Sequence, residues 1–139
     1  MGELVELAKR VAGKYRLDPA LVCAVCEQES EWRPWAVRME PAFYAKYTQP
    51  MTLSDTEEYT RAISWGLMQV MGETARECGY DRKFLSELCD PEMGLEFGCR
   101  KLLRSVTKTA NTHDALLKYN GGGNPKYAEE VLARMDKYK

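Results

Sequence analysis

Apolar residues recur at three- and four-residue intervals along most of the chain, a spacing that predicts helices rather than strands. Leu4, Val5, Leu7, Ala8, Val11, Ala12 and Tyr15 form one stripe on an amphipathic first helix. Asp18-Pro19 then supplies an N-cap and a first-turn proline for a second. Its run Ala20-Leu21-Val22-Cys23-Ala24-Val25-Cys26 is apolar on every side, which places it in the middle of a core. It continues into Glu27-Gln28-Glu29-Ser30-Glu31 and ends before Pro34, because the residue preceding proline is pushed away from helical angles.

Residues 35–53 lack a clear period, and Pro41 and Pro50 flank the aromatic group Phe43, Tyr44 and Tyr47. The expectation there is a short helix within a long loop, with room for a small β-hairpin or irregular lobe near residues 36–53. Ser54-Asp55-Thr56-Glu57 matches a capping box and opens a helix through Tyr59 and Ala62. Glu73 to Cys78 reads as a short helix stopped by Gly79. Asp90-Pro91 caps a longer one reaching about Thr107, with Leu95, Cys99, Leu102, Leu103 and Val106 expected to face inward. The last two helices fall near His113 to Tyr119 and Pro125 to Tyr138, on either side of Gly121-Gly122-Gly123. With no repeat or linker in the pattern, residues 1–139 are expected to form a single all-α domain.

Composition narrows the possible functions. A chain of 139 residues with 45% hydrophobic and 29% charged residues can build a core and is not disordered. Its 20 basic residues are matched by 21 acidic ones, which argues against nucleic acid as the partner. Cys23-x-x-Cys26 invites a zinc or redox reading, but His113 is the one histidine and a structural zinc site wants four ligands. The five cysteines are expected to be buried free thiols, with neither metal nor cofactor required. No apolar run approaches the roughly 20 residues of a membrane span, so membrane insertion is not expected. Met1-Gly2-Glu3-Leu4 lacks the features of a signal peptide, so synthesis in the cytoplasm is expected.

Three segments carry candidate chemistry. Glu27, Glu29 and Glu31 gather at the negative end of the second helix dipole, an unfavourable place for carboxylates. Burial and the dipole would both raise a carboxyl pKa there, as a general acid working near neutral pH requires; the alternative is three solvated surface acids. Gly66-Leu67-Met68-Gln69-Val70-Met71-Gly72 sets a polar Gln69 in an apolar stretch, either to present an amide to a ligand or as a plain glycine turn. Tyr119-Asn120-Gly121-Gly122-Gly123 puts an aromatic and an amide at a helix end, where a simple helix stop is the competing reading. Trp32, Trp35, Phe43, Tyr44, Tyr47 and Trp65 are either a surface for sugar rings or ordinary core.

Taken in order, Glu29-Ser30, Gly66-Leu67-Met68-Gln69 with Thr74-Ala75, a Gly94-Leu95-x-x-Gly98-x-x-x-Leu102 helix and Tyr119-Asn120-Gly121-Gly122 resemble the motif series of the soluble lytic transglycosylases, relatives of goose-type lysozyme. The resemblance covers about residues 18–135. It implies an all-α, lysozyme-like fold that cleaves the β-1,4 bond between N-acetylmuramic acid and N-acetylglucosamine in peptidoglycan. By the same resemblance Glu29 is the catalytic acid and base, and the muramic 6-hydroxyl attacks to leave a 1,6-anhydro end. Gln69 and Met71 match cleft residues, Tyr119 and Asn120 the tyrosine segment beside the acid, and Ser30 the small hydroxyl residue that follows it.

The chain departs from the family pattern in two places. The stretch between Glu29 and Gly66 is longer than in short members, and it holds Glu40, Asp55, Glu57 and Glu58. Goose-type lysozymes carry an aspartate nine residues before the motif glutamine, where this chain has Thr60, which is expected with Gln69, Met71, Tyr119, Asn120 and Ser30 to bind substrate. Transglycosylation is therefore the leading expectation. Hydrolysis of peptidoglycan or chitin with Glu58, Glu40 or Asp55 as second carboxylate is the alternative. An inactive glycan-binding module and a helical interaction protein are further rivals. Gly94 stands where many members have asparagine, which points to packing. The remaining expectations are a monomer acting on glycan strands of the wall, as a phage-type lysin after holin-type release or as a virion component.

Overall fold

The structure, a computed structural model, describes residues 2–139. Helix α1 (Gly2–Lys14) lays Ala8, Val11 and Ala12 against α2 (Pro19–Ser30). Asp18 caps α2 by accepting from the Ala20 amide over 2.9 Å, and Pro19 needs no amide partner there. Ala20 through Cys26 are all buried, so α2 is the axis around which the other helices pack. At its far end Glu31 and Trp32 both take left-handed conformations, φ 52° and 64°, and the chain turns out of the core.

The long middle stretch is a lobe of short elements. Strand β1 (Val37–Met39) leads into α3 (Pro41–Phe43), which runs on as a π-type turn at Tyr44–Thr48 and a 3-10 turn at Gln49–Met51. After α4 (Asp55–Arg61) come β2 (Ile63–Trp65) and β3 (Val70–Met71). The three strands form an antiparallel sheet in the order β1-β2-β3, with Val37 opposite Trp65 and Ser64 opposite Met71. One strand thus lies in the stretch expected to hold a hairpin, but its partner is supplied from beyond α4. Ser54 caps α4 by accepting from the Glu57 amide over 3.2 Å. The reciprocal half of the capping box does not form, because the Glu57 carboxylate is taken by Arg61 and Arg76.

The remaining helices are α5 (Gly72–Glu77), α6 (Pro91–Thr107), α7 (Thr112–Asn120) and α8 (Tyr127–Arg134). Leu95, Cys99 and Leu102 on α6 are buried as expected, whereas Val106 is exposed where α6 runs past the core, and Ser105 is buried instead. Two glycines let α6 and the Gly66-Leu67-Met68-Gln69 turn both close on the Leu88 carbonyl. A Cβ on Gly94 would lie 2.7 Å from the Leu88 carbonyl oxygen, and one on Gly66, at φ 74°, would lie 2.5 Å from the same atom. Both positions therefore admit only glycine without a backbone shift.

Of the cysteines, Cys23, Cys26 and Cys99 are buried, Cys78 and Cys89 are half-buried, and all are free thiols. Among the described residues no helix is long and apolar enough to cross a membrane.

Candidate active site

Successive residues of a helix are turned by about 100°, so Glu27 and Glu29 leave the last turn of α2 roughly 200° apart. Glu27 faces the C-terminal segment, where it accepts from Arg134, Lys137 and Tyr138. Glu29 faces the other way, into a cleft of about 750 Å³, a size usual for ligand sites. Glu31 is exposed. The acidic run of the sequence thus separates into an ion-paired anchor, a cleft acid and a surface residue.

Tyr127, at the start of α8, donates its hydroxyl to Glu29 Oε2 over 2.6 Å. Its ring stacks on that of Tyr119, with centroids 6.5 Å apart and planes 15° from parallel. Tyr119 in turn donates to the Met68 carbonyl over 2.6 Å and so ties α7 to the Gly66–Gln69 turn. Lys101 of α6 lays its ammonium over the Tyr119 ring, 3.9 Å from the centroid, a favourable cation–π placement.

Burial raises the Glu29 pKa above the ordinary carboxyl value. The hydrogen bond from Tyr127 and the charges of Lys101 and Arg38 pull it down, but burial prevails. The same burial pushes the phenols of Tyr119 and Tyr127 well up, so Tyr127 keeps its proton and acts as donor. It also lowers the pKa of Lys101, against the pull of Glu29. Glu27 shows the opposite balance from Glu29: burial opposes its charge, yet hydrogen bonds from Tyr138, Lys137 and Arg134 leave its pKa lowered.

Gln69, Met71, Tyr119 and Asn120 join Glu29 in the walls of the cleft. Gln69 sits at φ 50° and gives its side-chain NH₂ to the carbonyls of Ala36 and Gly66, at 2.9 and 3.0 Å. Two carbonyl acceptors fix the amide's orientation and turn its own oxygen to other partners. Asn120 uses its oxygen to accept from the Asn124 amide over 2.9 Å, which steadies the glycine loop.

Ser30 and Thr60 lie outside the cleft walls. The Ser30 hydroxyl is buried between the carbonyls of Leu67 (2.8 Å) and Cys26 (3.0 Å), so its one proton links α2 to the motif turn. Thr60 donates back to Thr56 within α4 over 2.6 Å. Among the other carboxylates, Glu40 lines the cleft and pairs with Arg38 at 3.2 Å. Glu58 is buried in the lobe and Asp55 is exposed at the start of α4, both away from the cleft. Phe43 and Tyr47 line the cleft, Trp35 is 71% exposed, and Trp32 and Trp65 belong to the core. Among the described residues no group of three metal-ligating side chains comes together.

Sequence reasoning missed Tyr127, Lys101 and Arg38. Tyr127 lies 98 residues from Glu29, and its apolar ring fits the period of α8, so no local pattern marks it as polar machinery. Lys101 reads as an ordinary helix lysine. Its signal is positional: it falls three residues after Gly98, on the α6 face that approaches the motif turn.

Comparison with curated proteins and with solved structures found no match. The family model of the transglycosylase SLT domain, by contrast, matches residues 6–137, which takes in α2, the lobe and all four motif segments. Its coverage agrees with the motif series read from the sequence, and on it the chain belongs to the transglycosylase SLT domain family.

Proposed function

We propose that this protein cleaves the β-1,4 bond between N-acetylmuramic acid and N-acetylglucosamine by intramolecular transglycosylation, with Glu29 as both acid and base. Family membership supports peptidoglycan cleavage in general. The observation that carries the finer reading is the Glu29–Tyr127 pair: a half-buried carboxyl with a raised pKa, held through one oxygen by a phenol that keeps its proton.

With Oε2 occupied, the proton to be delivered sits on Oε1. Glu29 passes it to the glycosidic oxygen as the bond to the anomeric carbon breaks, and positive charge develops on the sugar. The resulting carboxylate is stabilised by the Tyr127 hydroxyl and by the nearby charges of Lys101 and Arg38. It then takes the proton of the muramic 6-hydroxyl as that oxygen closes on the anomeric carbon. No water is consumed, Glu29 ends protonated, and the product carries a 1,6-anhydro ring. One carboxyl is enough for this sequence of steps.

Glu40 supports a second reading. Its carboxylate shares the cleft with Glu29, and as a base it would activate a water for hydrolysis. The two readings separate in clearing assays on purified peptidoglycan. Transglycosylation through Glu29 alone predicts that Glu29→Gln abolishes clearing while Glu40→Gln retains most of it; equal loss in both variants favours the two-carboxylate route.

A further inference from the structure

Gln28 leaves α2 between the anchor Glu27 and the cleft acid Glu29, on the side that meets α8. Its side-chain amide spans two residues of that helix: Nε2 donates to Glu130 Oε1 over 3.2 Å, and Oε1 accepts from Arg134 Nε over 2.8 Å. Tyr127, Glu130 and Arg134 follow the spacing i, i+3, i+7 and so share one face of α8. Along that face Tyr127 meets Glu29, Glu130 meets Gln28, and Arg134 meets Gln28 and Glu27, so the two helices lie antiparallel in a single register.

The amide is matched to both partners. A carboxylate at position 28 would face Glu130 and an ammonium would face Arg134, whereas a neutral amide gives a proton to one and accepts from the other. Glu130 carries the contact further, because the same oxygen accepts from Asn124 Nδ2 over 2.7 Å, and the Asn124 backbone amide donates to Asn120 in the cleft wall. The start of α8 needs that support. It follows Gly121-Gly122-Gly123, of which Gly121 and Gly122 take positive φ, and Lys126 gives the helix no side-chain cap. Asn124, which accepts from the Lys126 amide over 3.0 Å, is itself held by Glu130. The stack on Tyr119 sets the plane of the Tyr127 ring, but how far the hydroxyl advances toward Glu29 follows how far α8 slides along α2.

We propose that Gln28 is a positioning residue of the reaction: its bridge to Glu130 and Arg134 sets the register of α8 on α2 and thereby holds the Tyr127 hydroxyl at Glu29. The inference rests on the proposed role of the Glu29–Tyr127 pair. Gln28 lines no part of the cleft, so it acts on substrate only through that pair. Its bond to Glu130 is exposed, and exposed hydrogen bonds add little to stability, so the effect is read in turnover rather than in melting temperature. A displacement of about 1 Å at a reacting group can cost roughly a hundredfold in rate, so a weak bond that fixes register still matters to catalysis.

The test compares kcat, KM and the alkaline limb of the pH–rate profile on soluble, uncrosslinked peptidoglycan strands. The variants are Gln28→Met, Tyr127→Phe, the two combined, Glu130→Met and Glu130→Gln. Glu29 also faces Lys101 of α6, Arg38 of β1, Tyr119 of α7 and the buried Cys26 thiol of its own helix, and every variant leaves these in place. Gln28→Met and Glu130→Met are expected to lower kcat roughly three- to tenfold with little change in KM, and to move the alkaline limb upward as Tyr127→Phe does. Glu130→Gln removes the same charge as Glu130→Met but keeps an acceptor for Gln28, and should stay within about twofold of the native kcat. On top of Tyr127→Phe, Gln28→Met should do nothing further. An undiminished effect of Gln28→Met in the Tyr127→Phe background, or a native kcat in Gln28→Met alone, overturns the inference and leaves the proposed function standing. Equal loss in the two Glu130 variants overturns it as well. A native kcat and an unmoved limb in Tyr127→Phe overturn the role of the pair, and the inference with it.

Discussion

Glu27 and Glu29 leave the same helical turn on opposite sides, and their carboxyls are shifted in opposite directions. For Glu29 the folded pKa lies above the unfolded one. Its contribution to stability is therefore complete below the unfolded carboxyl pKa and is lost as pH rises through the folded value. Glu29→Gln should unfold at an equal or higher temperature than the native protein near pH 7, and the difference should close near about pH 4. Thermal melts across that range check it, alongside a loss of activity of roughly 10²- to 10⁴-fold.

Tyr127→Phe keeps the stacked ring and removes the hydroxyl from Glu29. That hydrogen bond favours the carboxylate, so its loss raises the Glu29 pKa further and moves the alkaline limb of the pH–rate profile upward. It also removes stabilisation of the charge that forms as the proton leaves. A fall in kcat of roughly ten- to a hundredfold is expected, from a hydrogen bond to a charged group worth about 1.5–3 kcal/mol. A fall in kcat with no movement of the limb would mean that Tyr127 only supports the fold.

Glu57 binds the lobe to the rest of the molecule. It pairs with Arg61 at 2.7 Å and Arg76 at 2.8 Å, all three side chains being half-buried. Burial opposes its ionisation, but the hydrogen bonds and charges of the two arginines leave its pKa lowered. The stability it supplies is present above the unfolded carboxyl pKa and is lost as pH falls through the folded value. Glu57→Gln should cost about 1–3 kcal/mol near neutrality in chemical denaturation, and less in acid.

Gly94→Asn tests the close contact behind the cleft. A Cβ there meets the Leu88 carbonyl oxygen at 2.7 Å, a backbone atom that cannot turn aside. Either α6 or the 3-10 turn at Leu85–Cys89 must move, at a cost of about 1–3 kcal/mol. Denaturant midpoints should fall, and activity measured well below the melting temperature should be affected less than in Glu29→Gln.

What the sequence conveyed follows from the range of its signals. The all-apolar run of α2, the Asp18-Pro19 cap and the Asp90-Pro91 start of α6 are local features, and each element lies where its pattern put it. Glycine marked the ends of α5 and α7, where Gly79 and Gly121 take positive φ. The sheet was not legible, because strands of two or three residues are too short to show alternation, and β1 finds its partner across the whole lobe. Val106 misled because periodicity reports which face is apolar, not where the core ends.

The site divides in the same way. Glu29, Gln69 and Tyr119 lie in ordered motifs, whereas Tyr127, Lys101 and Arg38 reach Glu29 only through packing of separate elements. Glu58, Glu40 and Asp55 could not be ranked from the chain alone. Of these, only Glu40 reaches the cleft.

Mass spectrometry of the soluble muropeptides released from purified peptidoglycan, with Glu29→Gln and Glu40→Gln run in parallel, tests the central claim most directly. Transglycosylation through one carboxyl predicts products lighter by one water than reducing-end sugars, formed by the native protein and by Glu40→Gln and absent with Glu29→Gln. Reducing-end products that vanish in both variants would contradict it and make Glu40 the second carboxylate of a hydrolase.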